Sequence, residues 1–414
     1  MGGNDTIVSL DIGTSKVRAI IGEVNNGSIH IVGVGTAESE GIRKGAIVDI
    51  DQTVDSIRSA VEHAERMVSI QIHEVYVGIA GNHITLLTSH GVVAVANDDR
   101  EIGEDDIDRV LQAAKVIALP PEREIIGVVP KQFVVDGLEG IQDPRGMIGV
   151  RLEVEATIIT GAKSSIHNLR RVVEKADLRV IGLILMPLAA GNLTLSKDEK
   201  TIGTVLVDIG AGSTTIAVFE NGTIAATSTL PIGGDLISSD ISIGLHTQLE
   251  HAERVKLKFG CAESELAAAD QVFKVPRIGS NSETEFTQVD LTGIIEPRVQ
   301  EIFQLIRSEV YHMGYGNAQG GYVLTGGTVA MPGLLGVAQK ELATSVRVAT
   351  PEFIGVRDPS YTSGVGIITQ MIKTHKGRVT TSGGGKTGGG AKKQQRSDQP
   401  GWFERFKNWL SEYI

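Results

Sequence analysis

Thr204-Val-Leu-Val-Asp208-Ile-Gly210-Ala-Gly212-Ser213-Thr214-Thr215, continuing into Ile216-Ala-Val-Phe219, is the stretch from which the rest of this 414-residue chain can be read. The unbroken apolar run at 205–207 predicts a strand buried on both faces. It ends in an acid and a Gly-Ala-Gly-Ser-Thr-Thr turn, and a second strand leaves at once. Glycines let backbone N–H groups approach an anion closely, and hydroxyls add donors. A lone carboxylate beside such a turn would repel a phosphate, so Asp208 makes better sense holding a hydrated cation. Taken alone, the stretch reads equally well as an ordinary hairpin turn.

An echo near the N-terminus changes that balance. Val8-Ser-Leu-Asp11-Ile-Gly13-Thr14-Ser15-Lys16 repeats the strand, the Asp-Ile-Gly and the hydroxyl-rich turn. Both copies run through a second strand into an Asn-Gly hairpin, at Asn26-Gly27 and Asn221-Gly222. Asp11 and Asp208 are 197 positions apart and the two Asn-Gly pairs 195, a difference of one small loop change. The chain therefore reads as two halves built on one plan, each offering a phosphate hairpin to a shared cleft.

Composition bounds the rest. A chain of this length holds two to four domains with a substantial core, and at 41% hydrophobic but 4% aromatic that core is aliphatic. The net charge of −11 argues against nucleic acid as a partner. A single cysteine, Cys261, excludes an internal disulfide and fits a reducing cytosol. No apolar run has signal-peptide or membrane-span length. The first residues match a bare myristoylation pattern, discounted because a strand begins almost at once.

Along the chain, apolar Val54, Ile57, Val61, Ala64 and Met67 predict a helix over 51–68, with Asp49 or Asp51 as its N-cap. A buried strand follows at 75–80. Residues 84–161 then change texture, with alternating strands around a short amphipathic helix at 104–117, the size of a small inserted domain. Its acids (Asp98, Asp99, Glu101, Glu104, Asp105, Asp106) read better as a solvated loop and helix N-terminus than as a metal site. In the second half, Gly233-Gly234 precedes a helix and suits N–H contact with phosphate. Glu253 and Lys256 share a helix face, where an exposed ion pair is the plainest reading. A long helix spans 289–313, started or kinked by Pro297. Thr325-Gly326-Gly327 ends another strand and leaves room for a flat ring above its backbone.

Asp11-Ile-Gly-Thr, Asp208-Ile-Gly-Ala-Gly, Gly233-Gly234, Ala-Glu253-Arg-Val-Lys256 and Leu-Thr-Gly326-Gly327 resemble, in order, the five nucleotide motifs of the actin superfamily. Within it the chain resembles, from end to end, the FtsA family of bacterial division proteins; Gly45-Ala-Ile-Val-Asp49, Pro130-Lys-Gln-Phe133 and Ile295-Glu-Pro-Arg298 add to the match. The resemblance implies an α/β, actin-like two-lobed fold: a duplicated RNase H-like core with an inserted small α+β subdomain and a C-terminal amphipathic helix. Subdomain 1A would comprise residues 1–83 and 162–200, the inserted 1C 84–161, 2A 201–229 and 307–375, and 2B 230–306. A linker at 376–400 and a membrane-targeting helix at 401–414 would follow.

The resemblance also implies bound ATP and Mg²⁺. Asp11 and Asp208 would hold the metal through water. Gly13, Thr14, Ser15, Lys16, Gly210, Gly212, Ser213, Thr214, Gly233 and Gly234 would surround the phosphates. Glu253 and Lys256 would lie near ribose and adenine, and Gly326 and Gly327 would form the adenine platform. It further implies filaments of the chain itself, attachment of FtsZ polymers to the inner membrane at the septum, and contacts of 1C with later division proteins. The FtsZ C-terminal tail would dock on 2B, with Arg298 as a cation meeting it. Turnover is expected to be weak: chaperone and cytoskeletal relatives carry Glu before the Pro-Ala-Ala stretch, where this chain has Met186 before Pro187. Gly385-Lys386-Thr387 lacks the upstream glycine of a Walker loop and is rejected.

The tail has its own physics. The Gly-rich, basic linker predicts a flexible span of about 25–30 Å. Beyond it Trp402, Phe406, Trp409, Leu410 and Tyr413, with Phe403, form an apolar helical stripe suited to an anionic bilayer surface. An arm docking on the chain's own body or on a sister subunit is the competing reading. Competing functions are a pilus-assembly-type adaptor of the same fold and, further off, an actin-fold sugar or carboxylate kinase.

Overall fold

The computed structural model describes residues 6–25, 28–279 and 282–379. The chain divides into two compact units, Met1–Thr374 and His375–Ile414, and only the first five residues of the second are described. The expected linker beyond 379 and the whole 401–414 helix, with Trp402, Phe403, Phe406, Trp409, Leu410 and Tyr413, lie outside the described residues. Among the described residues no helix is long and apolar enough to cross a membrane.

The first half opens with β1 (Thr6–Ile12), β2 (Lys16–Asn25) and β3 (Ser28–Glu38), an antiparallel meander. A two-stranded flap, β4 (Ile42–Arg43) and β5 (Ala46–Ile47), leads to α1 (Ile50–Val68). Asp49 caps that helix, its side chain accepting from the Gln52 amide at 3.1 Å. β6 (Glu74–Ile79) then joins β1 in parallel. After the insertion come α3 (Lys163–Lys175), β11 (Arg179–Leu185), α4 (Met186–Thr194) and α5 (Lys197–Ile202). The sheet order is β11-β6-β1-β2-β3.

The insertion contributes β7 (Ile84–Ala94), α2 (Glu104–Ala114), β8 (Arg123–Val135), β9 (Leu138–Ile141) and β10 (Arg151–Ala162). These strands form their own sheet, β7-β10-β8-β9, over which α2 packs through Ile107, Val110 and Ala114. Pro130, which cannot donate to a ladder, sits where the β8–β10 register slips. The acids at 98–106 gather no metal cluster among the described residues. Asp106 instead accepts from the amides of Ala96 and Gly103, both at 3.1 Å, and pairs with Arg109, as a helix-capping acid does.

The second half repeats the first. β12 (Thr204–Ile209), β13 (Thr214–Glu220) and β14 (Thr223–Leu230) form the meander, and β17 (Tyr322–Thr325) and β18 (Val346–Val348) add in parallel. The order β14-β13-β12-β17-β18 mirrors that of the first sheet. Between β14 and β17 lie α6 (Gly234–Gly244), α7 (Leu249–Phe259), the hairpin β15 (Val272–Pro276) and β16 (Glu283–Thr287), and α8 (Gln288–His312). Pro297 lies inside α8 rather than at its start. α9 (Leu334–Leu342) and α10 (Thr362–Val379) complete the half. The sheets of both halves are covered on both faces, which is why β12 opens with a continuous apolar run, Val205–Val207, and β1 with one broken only by the buried Ser9.

Candidate functional site

The two Asp-Ile-Gly turns are superimposable in their hydrogen bonding. Gly13 N–H donates to Lys16 O at 3.1 Å, and Gly210 N–H to Ser213 O at 3.0 Å. Each turn hangs from the C-terminal end of the central strand of its sheet, and the two face each other across a cleft of about 760 Å³. That volume suits a nucleotide-sized ligand.

Asp11 and Asp208 both line this cleft. Burial pushes the Asp11 carboxyl up to about 6; Arg18 pulls it down and Asp208 pushes it further up. Asp208 is raised too, by burial, against a Ser363 hydroxyl donating at 2.9 Å and the charge of Arg18. Arg18 lies opposite Asp11 in the β1–β2 register, 5.2 Å over the Tyr361 ring, and its buried Nε has no partner. A buried and a half-buried carboxylate with so little compensation form a place that favours a cation. Among the described residues no group of three or more His, Cys, Asp or Glu could enclose an ion. A metal here would complete its shell with water and ligand oxygens, as Mg²⁺ does.

Of the other expected contacts, Gly13, Thr14, Ser15, Lys16, Gly210, Gly212, Ser213, Glu253, Lys256, Gly326 and Gly327 all line the cleft. Three do not. Thr214 is fully buried and its hydroxyl donates to Ile232 O at 2.9 Å, because β13 alternates and Thr214 shares the inner face with Ile216 and Val218. Gly233 packs on the hairpin itself: a Cβ there would fall 2.5 Å from the carbonyls of Gly210 and Ala211. Gly234 and Asp235 spend their amides on those same carbonyls, at 3.0 and 2.9 Å. The start of α6 thus braces the Gly210–Ser213 turn from behind, and those two N–H groups are not free for an anion.

Glu253 and Lys256 are not the exposed ion pair that spacing alone would give. Lys256 is 8% exposed; its Nζ donates to Gly234 O at 3.0 Å and Ser238 Oγ at 2.8 Å, with Glu253 Oε2 2.6 Å away. Gly326 has φ 96°, and a Cβ on it would sit 2.4 Å from Asp208 Oδ1, so glycine lets β17 turn against the aspartate. Gly327 has ordinary space, its nearest neighbour being Ser360 Cβ at 3.6 Å. Met186 starts α4 and lines the cleft.

A family model described as Cell division protein FtsA matches residues 205–366, and one described as SHS2 domain inserted in FTSA matches residues 81–160. The cell division protein FtsA of Bacillus subtilis is 51% identical over 368 residues, 89% of this chain and 84% of its own length. That of Pseudomonas aeruginosa is 39% identical over 413 residues, 98% and 97% of the two chains. The chain belongs to the FtsA family of cell division proteins. Solved structures share the fold at low identity. MreB5 of Spiroplasma citri bound to ADP has a TM-score of 0.55 at 13%, covering 90% of this chain and 98% of its own. A PilM-PilN type IV pilus biogenesis complex has 0.61 at 14%, covering 88% and 98%.

Within this FtsA-family fold several cleft residues lie outside the motifs read from sequence. Arg18 could have been found, since a tight hairpin puts it opposite Asp11. Asn82 and His83, at the entry to the insertion, and Asp358 and Ser360, ahead of α10, carry no local signal. Arg298 lies away from the cleft on α8. Its guanidinium forks onto Asp240, with Nη2–Oδ1 at 3.0 Å, and pairs with Glu301, so it is a held cation rather than a free one.

Proposed function

We propose that this FtsA-family chain binds ATP with Mg²⁺ in the cleft and tethers FtsZ polymers to the inner face of the cytoplasmic membrane at the septum. On this reading it assembles into actin-like filaments and offers its inserted subdomain to later division proteins. One observation carries the nucleotide part: equivalent strands of two duplicated sheets end in two carboxylates, Asp11 buried and Asp208 half-buried, both raised and lining one cleft. The residues fit the group. Asp11 and Asp208 would hold the metal through water, while Thr14, Ser15, Lys16, Gly212 and Ser213 would meet phosphates and Glu253, Lys256, Gly326 and Gly327 the nucleoside. Bound Mg²⁺ would neutralise phosphate charge; the protein's part is to orient the ligand and keep both lobes closed on it. With Met186 where a water-orienting acid would stand, ATP acts as a slow conformational ligand.

The family supports the division reading over its competitors. The pilus complex resembles the chain in fold alone, whereas FtsA proteins match it in sequence across its length. For the FtsZ tail, Asp240 fixes Arg298 in place, and an acidic tail would compete with the more exposed Glu301. Arg298→Ala is expected to weaken tail-peptide binding, with the loss shrinking in high salt; equal affinity at low salt would remove Arg298 from the site. The whole reading is tested by co-sedimentation with anionic vesicles. Protein alone should bind reversibly and carry FtsZ down with it, and Trp409→Glu should release both without changing ATP affinity. Persistent sedimentation of Trp409→Glu would leave the tail as a docking arm.

A further inference from the structure

We propose that His83 orients the water that attacks the terminal phosphate of a bound nucleoside triphosphate and accepts its proton. The proposal rests on the nucleotide reading of the cleft. Three parallel strands end side by side on its floor in the order β11, β6, β1. Leu10 of β1 lies in register with Val77 of β6, and Gly78 and Ile79 with Ile184 and Leu185 of β11. The outer ends therefore deliver Asp11 and Met186. The middle strand runs directly into Ala80-Gly81-Asn82-His83, and all four residues line the cleft. His83 thus leaves the strand that lies between the aspartate suited to a cation and the methionine that cannot polarise water.

The side chain is unspent and its backbone is fixed. Among the described residues His83 is held through its carbonyl, which accepts Arg123 Nη2 and the Ala162 amide, both at 3.1 Å; none hydrogen-bonds its imidazole. Arg123 is itself anchored on Thr160, to the carbonyl at 3.0 Å and the hydroxyl at 2.9 Å. The ring folds over Gly81, whose φ of +130° and missing Cβ make room: a methyl there would lie 2.9 Å from Nδ1. Burial first, and the Arg123 charge second, hold the imidazole below its usual pKa, leaving it neutral and able to accept.

The step balances without further reactants. The water oxygen bonds to the terminal phosphorus, the bond from that phosphorus to the bridging oxygen breaks, and a nucleoside diphosphate leaves with the electron pair. The water's proton passes to the ring nitrogen and then to phosphate or solvent. One imidazole without a carboxylate at position 186 makes this slow.

The test uses the full chain with Mg²⁺–ATP under single-turnover conditions, protein in excess, with binding followed by calorimetry. His83→Ala is expected to slow cleavage ten- to hundredfold while leaving the ATP dissociation constant within about twofold. His83→Gln, which can orient the water but not take its proton, should fall between. In wild type, the labelled His83 ring resonances should shift when a non-hydrolysable ATP analogue binds. An unchanged rate, a loss of rate matched by a loss of affinity, unmoved ring resonances, or no cleavage by wild type would each overturn the proposal. Absence of ATP binding by wild type would sink the nucleotide reading as well; binding without dependence on His83 would sink this one alone.

Discussion

The two halves agree in backbone and differ in charge. Both have the same strand order, the same turn hydrogen bond, and a bulge at matching places, Ile21/Gly22 and Val218/Phe219. Opposite Asp11, however, stands Arg18, and opposite Asp208 stands Thr215. The first turn leads through Lys16 to Arg18, while the second offers only Gly212, Ser213 and threonines. Strand burial fixes the shared plan, since any residue change that kept the apolar faces would keep the sheet. Cleft chemistry is free to diverge. The first half supplies the one cation, Arg18, that tempers both aspartates; the second supplies small residues that let backbone come close.

The largest effect that would sharpen this contrast is on stability without nucleotide or metal. Asp11 titrates near 6 in the fold against a reference of 3.8, so between those values the folded state binds the extra proton. Its contribution is therefore present below about pH 4 and lost as pH rises through 6, leaving a cost of about 2–3 kcal/mol at neutral pH and above. Asp11→Asn is expected to melt several degrees above wild type at pH 8 in EDTA, with the gap closing toward pH 4. Equal melting at pH 8 would mean that Arg18 already offsets the charge in full.

Next comes ligand affinity, where the halves should behave alike. Asp11→Ala and Asp208→Ala are each expected to weaken Mg²⁺–ATP binding tenfold or more, about 1.4 kcal/mol. EDTA should bring wild type down to the level of the variants and leave the variants little changed. Calorimetry finding unaltered affinity in both would remove the pair from the site; a loss in one alone would show that the duplication is not functional.

Legibility in the sequence followed the range of the interactions. The two strand–turn–strand units, the inserted segment and both aspartates were readable because apolar runs and glycine turns are local. The Gly233–Gly234 pair stands out in the sequence, but its packing does not: the Gly234 and Asp235 amides look free there and meet the hairpin only when α6 folds onto it. Lys256 looked like a surface cation for the same reason. Ser363, which donates to Asp208 from 155 residues away, had no sequence signal, since its placement depends on how α10 packs.

The smallest expected effect tests whether the halves touch. A Cβ on Gly212 would lie 2.6 Å from Thr14 Cγ2 and 2.8 Å from its hydroxyl, inside any normal contact. Thr14 has little freedom to yield, being β-branched and held by the Gly45 amide, which donates to its hydroxyl at 3.1 Å. Gly212→Ala should therefore spread the two turns by a few tenths of an ångström and weaken ATP binding about three- to tenfold, near 1 kcal/mol. Thr14→Ser keeps the hydroxyl but removes the methyl at the tightest contact. Alone it should do little; combined with Gly212→Ala it should restore most of the affinity, giving a coupling of about 1 kcal/mol across the cleft. Strictly additive losses would mean that the turns separate when the ligand binds, and that the two halves then share only the nucleotide.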